Sequence, residues 1–341
     1  MTTIYQIAKK AGVSIATISR VINLEMRHKV SEDTLKKVDR LIQKHGYAPN
    51  LAAKNLSKKT FKTIGVLLPH LPGIFFSDYY SKILSGASDA LMDTHYAFKM
   101  ILSKAGMPVW DHYNFKASEG IDGLLVTQWP LYFSDKWALE HVQVPSTFIT
   151  DPPNQIKANF ISADNEMGGE MAARYLHSKG HRKMAVVTGP KWSSDSNLRL
   201  RGFKRYCEKV GVRLEPGSVL CGDYKKDTAA AVVENYLKKK PRITAIFCLN
   251  DFMAAGVLEK LKSLGVACPG EISVMGYDDE RGSRYTDPPL TTISVPLYEI
   301  AREGVARLVS HLEKKLPTEV FLWQTLKPVS LAERKSVKAL T

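Results

Sequence analysis

Cysteine is scarce: the 341 residues hold four, Cys207, Cys221, Cys248 and Cys268, too scattered to form a CxxC pair. A disulfide framework and a thiolate metal centre are therefore not expected, whereas four reduced cytosolic thiols are. No apolar run approaches the ~18 to 20 residues that cross a bilayer. The opening Met1-Thr2-Thr3-Ile4-Tyr5-Gln6 has no basic flank ahead of an apolar stretch, so a cytoplasmic protein is expected. Also missing are GxGxxG, a Walker phosphate loop, a GxSxG elbow and HExxH, which removes the usual signatures of an enzyme. The nine histidines show no metal spacing, and His181, in Lys179-Gly180-His181-Arg182, reads as a surface turn. No cofactor and no metal are expected.

What is present is positive charge, unevenly placed. Residues 1–60 carry twelve Lys/Arg against four acids, so they hold +8 of the net +14. A field concentrated on one small segment suits a polyanion-binding module, although a soluble lysine-rich surface has the same charge. With 44% hydrophobic and 24% charged residues, the remainder has ample material for a large core.

Within the basic segment, Thr3 can cap a helix over Ile4 to Ala11, whose Ile4, Ile7, Ala8 and Ala11 share one face. Gly12 suits the left-handed turn that ends it. Ser14 can then cap a second helix, Ile15 to Ile22, burying Ile18 and Val21 with the preceding Val13. A third helix runs from near Ser31 to His45 and stops at Gly46. Two short helices about a tight glycine turn are a helix-turn-helix, whose second helix enters the major groove. Its available side chains are Ser14, Ile15, Ala16 and Thr17, then Ser19, Arg20 and Asn23. Ile15 and Ala16 allow close approach to thymine methyls, and Arg20 can pair with guanine. Thr17 and Ser19 can equally bond phosphates. A trihelical core with no nucleic-acid role satisfies the same periodicity.

The stretch TIYQIAKKAGVSIATISRVIN (3–23), followed by VSEDTLKKVDRLIQKHGYAPNLAAKNL (30–56), resembles the headpiece of the lactose-repressor/galactose-repressor (LacI/GalR) family. Only the loop Leu24 to Lys29 departs, being a residue or two longer. The resemblance implies further DNA contacts at Thr3 and Tyr5. It also implies a hinge helix over 47–56, with Pro49 in its first turn. Asn50, Ala53 and Lys54 lie along that helix, and Leu56 stands where the family wedges a leucine into the minor groove. A helix so short is mostly unfolded alone; in the family it folds when two copies pair on the operator.

Beyond Phe61 the pattern changes. Apolar strand-like runs (Thr63 to Pro69, Ala97 to Ser103, Gly123 to Thr127, Ser146 to Ile149, Lys183 to Thr188, Ala245 to Leu249, Ser273 to Tyr277) alternate with amphipathic helix-length stretches. The helices are expected at Asp78 to Asp93, Asn165 to Lys179, Leu198 to Val210, Thr228 to Lys239 and Asp251 to Leu264. This alternation predicts a parallel, doubly wound α/β domain, with more units than one sheet holds. TIGVLLP (63–69), GIDGLLV (120–126), LRLRGF (198–203), LNDFMAAG (249–256), ISVMGYDD (272–279) and PPLTTISVP (288–296) are similar to the sensor of the same family, and follow its order. The implied fold is a small all-α helix-turn-helix headpiece plus an α/β sensor of two doubly wound parallel-sheet lobes, of the periplasmic-binding-protein-like type I. The expected domains are headpiece 1–46, hinge and linker 47–60, and sensor 61–341. Its N-lobe takes about 61–161 and 295–325, its C-lobe about 162–292 and 326–341, with ligand in the cleft outside the strand ends.

A sugar needs paired polar groups for its hydroxyls and an aromatic face for its C–H side. Arg199 supplies a rigid fork of donors, Asp278 two acceptors and Asn250 both kinds. By resemblance these three meet the effector, and Tyr224 lays a ring over it. Phe75 and Phe76 belong either to the N-lobe entry loop or to the core; Pro72-Gly73-Ile74 precedes them where the family usually has Asn-Pro. Asp151 is a further N-lobe candidate. Asp251 and Asp279 read as helix caps, and Arg201 as a solvated arginine. The whole is expected to be a repressor that binds a palindromic operator as a homodimer under control of a small effector. A sugar is the first choice of effector, a nucleoside or purine the second.

Overall fold

The computed structural model describes residues 2–47, 60–69, 73–103, 120–127, 142–151, 157–314 and 322–340. The hinge positions Asn50, Ala53, Lys54 and Leu56 lie outside them. By their internal contacts, Met1–Phe61 and Lys62–Thr341 form two separate units.

The first unit is trihelical. Thr3 and Gln6 cap α1 (Ile4–Ala11) reciprocally: the Gln6 amide N–H donates to the Thr3 hydroxyl, and the Thr3 N–H donates to the Gln6 side chain at 3.0 Å. Gly12, at φ 65°, ends the helix in the left-handed region. Ser14 caps α2 (Ile15–Ile22) by accepting from the Thr17 N–H at 3.1 Å. A 3-10 turn (Leu24–Lys29), tied by an Arg27–Asp39 ion pair, leads to α3 (Glu32–Lys44). Ile7, Ala8, Ala11, Ile18, Val21 and Val38 are the buried centre.

The second unit contains two six-stranded sheets. The first takes β1 (Thr63–Pro69), β2 (Ala97–Ser103), β3 (Gly123–Thr127), β4 (Ser146–Ile149), β5 (Asn159–Ala163) and β11 (Gln324–Lys327), in the order β11-β5-β4-β3-β1-β2. All its pairings are parallel. Helices α4 (Asp78–Asp89) and α9 (Leu297–Lys314) pack together on this lobe. The second sheet takes β6 (Met184–Thr188), β7 (Val219–Cys221), β8 (Ala245–Cys248), β9 (Ser273–Asp278), β10 (Thr291–Ser294) and β12 (Ser330–Ala332), ordered β12-β10-β9-β8-β6-β7. Here β12 alone runs antiparallel, against β10, because the chain enters it directly from β11 without a crossover helix. The accompanying helices are α5 (Asn165–Ser178), α6 (Ser194–Lys209), α7 (Lys226–Leu237) and α8 (Asp251–Ser263). The chain passes between the lobes after β5, after β10 and between β11 and β12. Central strands such as β3, β6 and β9 are buried from end to end, which is why they read as unbroken apolar runs.

Three expectations need correction. Helix α6 begins at Ser194 rather than Leu198, because Ser193 caps it by accepting from the Ser196 N–H at 3.1 Å. His181 is no surface residue. It is fully buried, Nδ1 lying 2.9 Å from the Thr244 hydroxyl and Nε2 3.1 Å from the Lys338 carbonyl oxygen. A carbonyl only accepts, so Nε2 carries the proton, and burial holds the ring neutral by lowering its pKa. The cover comes from the C-terminal segment, where the Leu340 N–H donates to the Lys179 carbonyl at 2.7 Å. Finally, α9 is an amphipathic helix absent from the expected elements.

Candidate functional site

Backbone strain marks the site. Six of the eight non-glycine residues with positive φ among the described residues form three pairs, Thr150-Asp151, Asp223-Tyr224 and Asp278-Asp279. The pairs lie at or just beyond the C-terminal ends of β4, β7 and β9. Side chains avoid this region at about 1–3 kcal/mol each, and such outliers persist where the surroundings demand them, as ligand sites do. Strand C-terminal ends are also where open α/β sheets place ligands.

Asp151 comes from the first lobe, and α6 of the second meets it. Its carboxylate accepts from the Ser193 hydroxyl (3.0 Å), the Ser194 hydroxyl (3.0 Å) and the Asp195 N–H (2.8 Å). The positive end of a sixteen-residue helix therefore faces a carboxylate. The Ser193 proton is committed to Asp151, so across their 3.0 Å contact the Tyr224 hydroxyl donates to the Ser193 oxygen. One turn further along α6, Arg199 is 4% exposed. Its Nε donates to Asn165 Oδ1 at 2.8 Å and its Nη1 to the Leu249 carbonyl at 2.6 Å. Nη1 also stands 3.3 Å from Asp278 Oδ1, and the guanidinium lies 3.8 Å over the Tyr277 ring. Two glycines fix this helix: a Cβ on Gly169 of α5 would overlap the Arg199 carbonyl, and one on Gly202 of α6 the Glu166 carbonyl.

Three carboxylates, Asp151, Asp195 and Asp278, thus share one buried guanidinium. Burial raises the pKa of all three. For Asp195 the neighbouring Asp151 charge adds to the rise, and for Asp278, pushed up to about 6, Arg199 restrains it. Nearby Glu280 is raised to about 7 by burial and the Asp278 charge. A carboxyl whose pKa rises on folding stabilises the fold below the ordinary carboxylate range and loses that contribution as pH climbs through the raised value. Asp195→Asn should therefore gain melting temperature over the wild type progressively between about pH 4 and 8. A difference constant across that window, in paired thermal melts, contradicts the assignment.

Of the expected effector residues, Asp151, Arg199, Tyr224 and Asp278 converge here. Asn250 adjoins through Leu249, and its Oδ1 caps α8 by accepting from the Met253 N–H at 2.9 Å. The cap is Asn250, not Asp251, which is buried and accepts from the Thr292 hydroxyl and the Glu280 N–H. Asp279 caps nothing either; it pairs with Arg334. Arg201 is solvated as expected and pairs with Glu166. Phe75 and Phe76 are not core: Ile74 is the buried residue of that turn, while Phe76 is 96% exposed. Ser193, Ser194, Asp195, Asn165 and Tyr277 were not expected. The only sequence signal for the first three is a Ser-Ser-Asp-Ser run at a helix start.

In the first unit, Ser14, Ile15, Ala16, Ser19 and Arg20 of the second helix are exposed, as are Thr3 and Tyr5. Thr17 and Asn23 are half-buried. Among the described residues no group of three His, Cys, Asp or Glu is arranged to hold a metal, and no helix is long and apolar enough to cross a membrane.

Comparison with known proteins matches residues 3–50 to the family model for bacterial regulatory proteins of the lacI family. Residues 173–337 match that for periplasmic binding protein-like domains. The "HTH-type transcriptional repressor PurR" of Vibrio vulnificus (strain CMCP6) is 32% identical, over 92% of this chain and 93% of its own. PurR of Vibrio cholerae (serotype O1, strain M66-2) is 30% identical over 100% and 99%. Among solved structures, the lac repressor dimer bound to operator and the anti-inducer ONPF superimposes with TM-score 0.80 at 25% identity, covering 99% of both chains.

Proposed function

Since the chain belongs to the lacI family of bacterial regulatory proteins, we propose that it is a repressor gripping a palindromic operator as a dimer, and that a small polyhydroxyl effector at the Arg199 cluster controls the grip. In this reading residues 1–46 are the DNA-binding headpiece, 47–60 the hinge, and 61–341 the sensor. The carrying observation for DNA is the face of α2: Ile18 and Val21 fill the core while Ser14, Ile15, Ala16, Ser19 and Arg20 stand exposed. Ile15 and Ala16 touch base edges, Arg20 reads guanine, and Thr3, Tyr5, Thr17 and Asn23 hold backbone. Asn50, Ala53, Lys54 and Leu56 pair across the two-fold axis in the minor groove.

The effector closes the cleft between lobes. Three contacts already bridge it: Asp151 with the α6 start, the Lys82 ammonium with the Asp279 carbonyl at 2.8 Å, and Arg281 with Asp78, whose carboxylate accepts from the Arg281 N–H at 2.9 Å. An effector that prefers one lobe angle shifts the hinge by its differential affinity for the two states, and by no more. The acceptor-rich lining of Asp195, Asp278 and Tyr224 favours a ligand with many hydroxyl donors, hence a sugar. A purine or nucleoside is the second reading, supported by the PurR relatives.

Selection of duplexes from a random pool by the full chain should enrich a palindrome, with affinity falling steeply as salt rises. Enrichment of no sequence removes the repressor reading. Leu56→Ala should weaken binding to that duplex by at least about tenfold and leave effector affinity alone; unchanged operator affinity discards the hinge role. A melting-temperature screen of sugars, nucleosides and purines assigns the effector class.

A further inference from the structure

We propose that the effector carries a protonated amine, an amino sugar in its simplest form, and that the Asp195 carboxylate receives the ammonium. The proposal rests on the sugar reading of the site given above.

The groups of the cluster are not equally free. Asp151 is saturated by two hydroxyls and a backbone N–H. Asp278 has the ion pair with Arg199, although its Oδ1, like that of Asp195, makes no hydrogen bond among the described residues. Arg199 is itself engaged by Asn165, Leu249, Asp278 and the face of Tyr277. Asp195 is left. It is 4% exposed, and its buried Oδ1 has no hydrogen-bond partner among the described residues. The Tyr224 hydroxyl proton is directed at Ser193, so its oxygen can offer a ligand only lone pairs. Open positions around Asp195 are thus acceptors.

The electrostatics point the same way. The charged groups facing Asp195 are Asp151, Asp278 and the one cation, Arg199; the remaining titratable neighbours are the phenols of Tyr79, Tyr224 and Tyr277. Lys82 lies near Asp278, but its ammonium is held by Asp78 and the Asp279 carbonyl. Two negative charges therefore exceed the local positive charge when all three carboxylates ionise. Buried charge without compensation is expensive, and it is relieved by a proton or by a cation. A ligand hydroxyl would satisfy the hydrogen bond of Oδ1 and leave the charge. An ammonium supplies both, with three donors on one atom. A concavity of about 650 Å³ beside the crossover strands makes no comparable case, because its Lys82, Arg281 and Arg284 already face Asp78 or Asp279.

The test is calorimetric titration of the full chain at pH 7.5 with matched pairs: glucose and glucosamine, galactose and galactosamine, mannose and mannosamine. N-acetylglucosamine, hypoxanthine and guanine complete the panel. One amine should bind at least about tenfold tighter than its neutral partner, N-acetylation should remove the gain, and in Asp195→Asn the preference should shrink to about twofold or less. The proposal is overturned if a neutral sugar binds as well as its amine, if no amino sugar binds, or if the preference survives in Asp195→Asn. Binding of a purine alone refutes the sugar reading itself, whereas binding of a neutral sugar over its amine refutes only the charge assignment.

Discussion

Replacing Arg199 by alanine should cost the sensor about 3–5 kcal/mol and abolish its effector response. The side chain is the only cation among three buried carboxylates, and it also ties α6 to Asn165 of α5 and to the end of β8 through the Leu249 carbonyl. Removing it leaves Asp278 buried with only the Lys82 ammonium, itself held by Asp78, of opposite sign nearby, and bares the face of Tyr277. In a unit of this size the loss should lower the melting temperature by on the order of 10 °C. Arg199→Met combined with Asp278→Asn removes both charges, and should recover much of that loss without restoring the response. A melting temperature for Arg199→Ala within about 2 °C of the wild type would show that the cluster is far wetter than its burial implies.

Ile18→Ala should unfold the headpiece and leave the sensor intact. Ile18 is fully buried and one of six residues at the centre of a small unit, Met1–Phe61. Truncating such a side chain costs about 2–5 kcal/mol, and a core this small supplies about 3–5 in total. Operator binding should vanish in a gel-shift assay, while the melting of Lys62–Thr341 stays at its wild-type temperature. Retained operator affinity would mean that the three helices draw stability from outside their own core.

What the sequence revealed follows the reach of the interactions involved. Helices α1 and α2 appear at the expected residues because their stop and start signals, Thr3, Gly12 and Ser14, act within one turn. Arg199, Asp278 and Tyr224 stood out through resemblance, and the geometry brings them together. The first turn of α6 did not, because Ser193-Ser194-Asp195-Ser196 is polar and shows no apolar period; it is buried only because Asp151, some forty residues earlier, closes over it. His181 failed for the same reason, its cover arriving from Lys338, 157 residues later. Asp251 and Asn250 are adjacent and both cap-forming by type, so only the backbone decides that Asn250 takes the role.

The sheet order also governs how the protein is made. The first sheet is closed by β11 at 324–327, and the second by β12, with residues 336–340 laid along its neighbours. Neither lobe can be completed until nearly the whole chain has left the ribosome, whereas the three headpiece helices are complete by residue 44. At the usual pace of synthesis the headpiece precedes its regulator by roughly 15 to 60 s. Through that interval each nascent chain carries a finished DNA-binding module with no sensor to govern it.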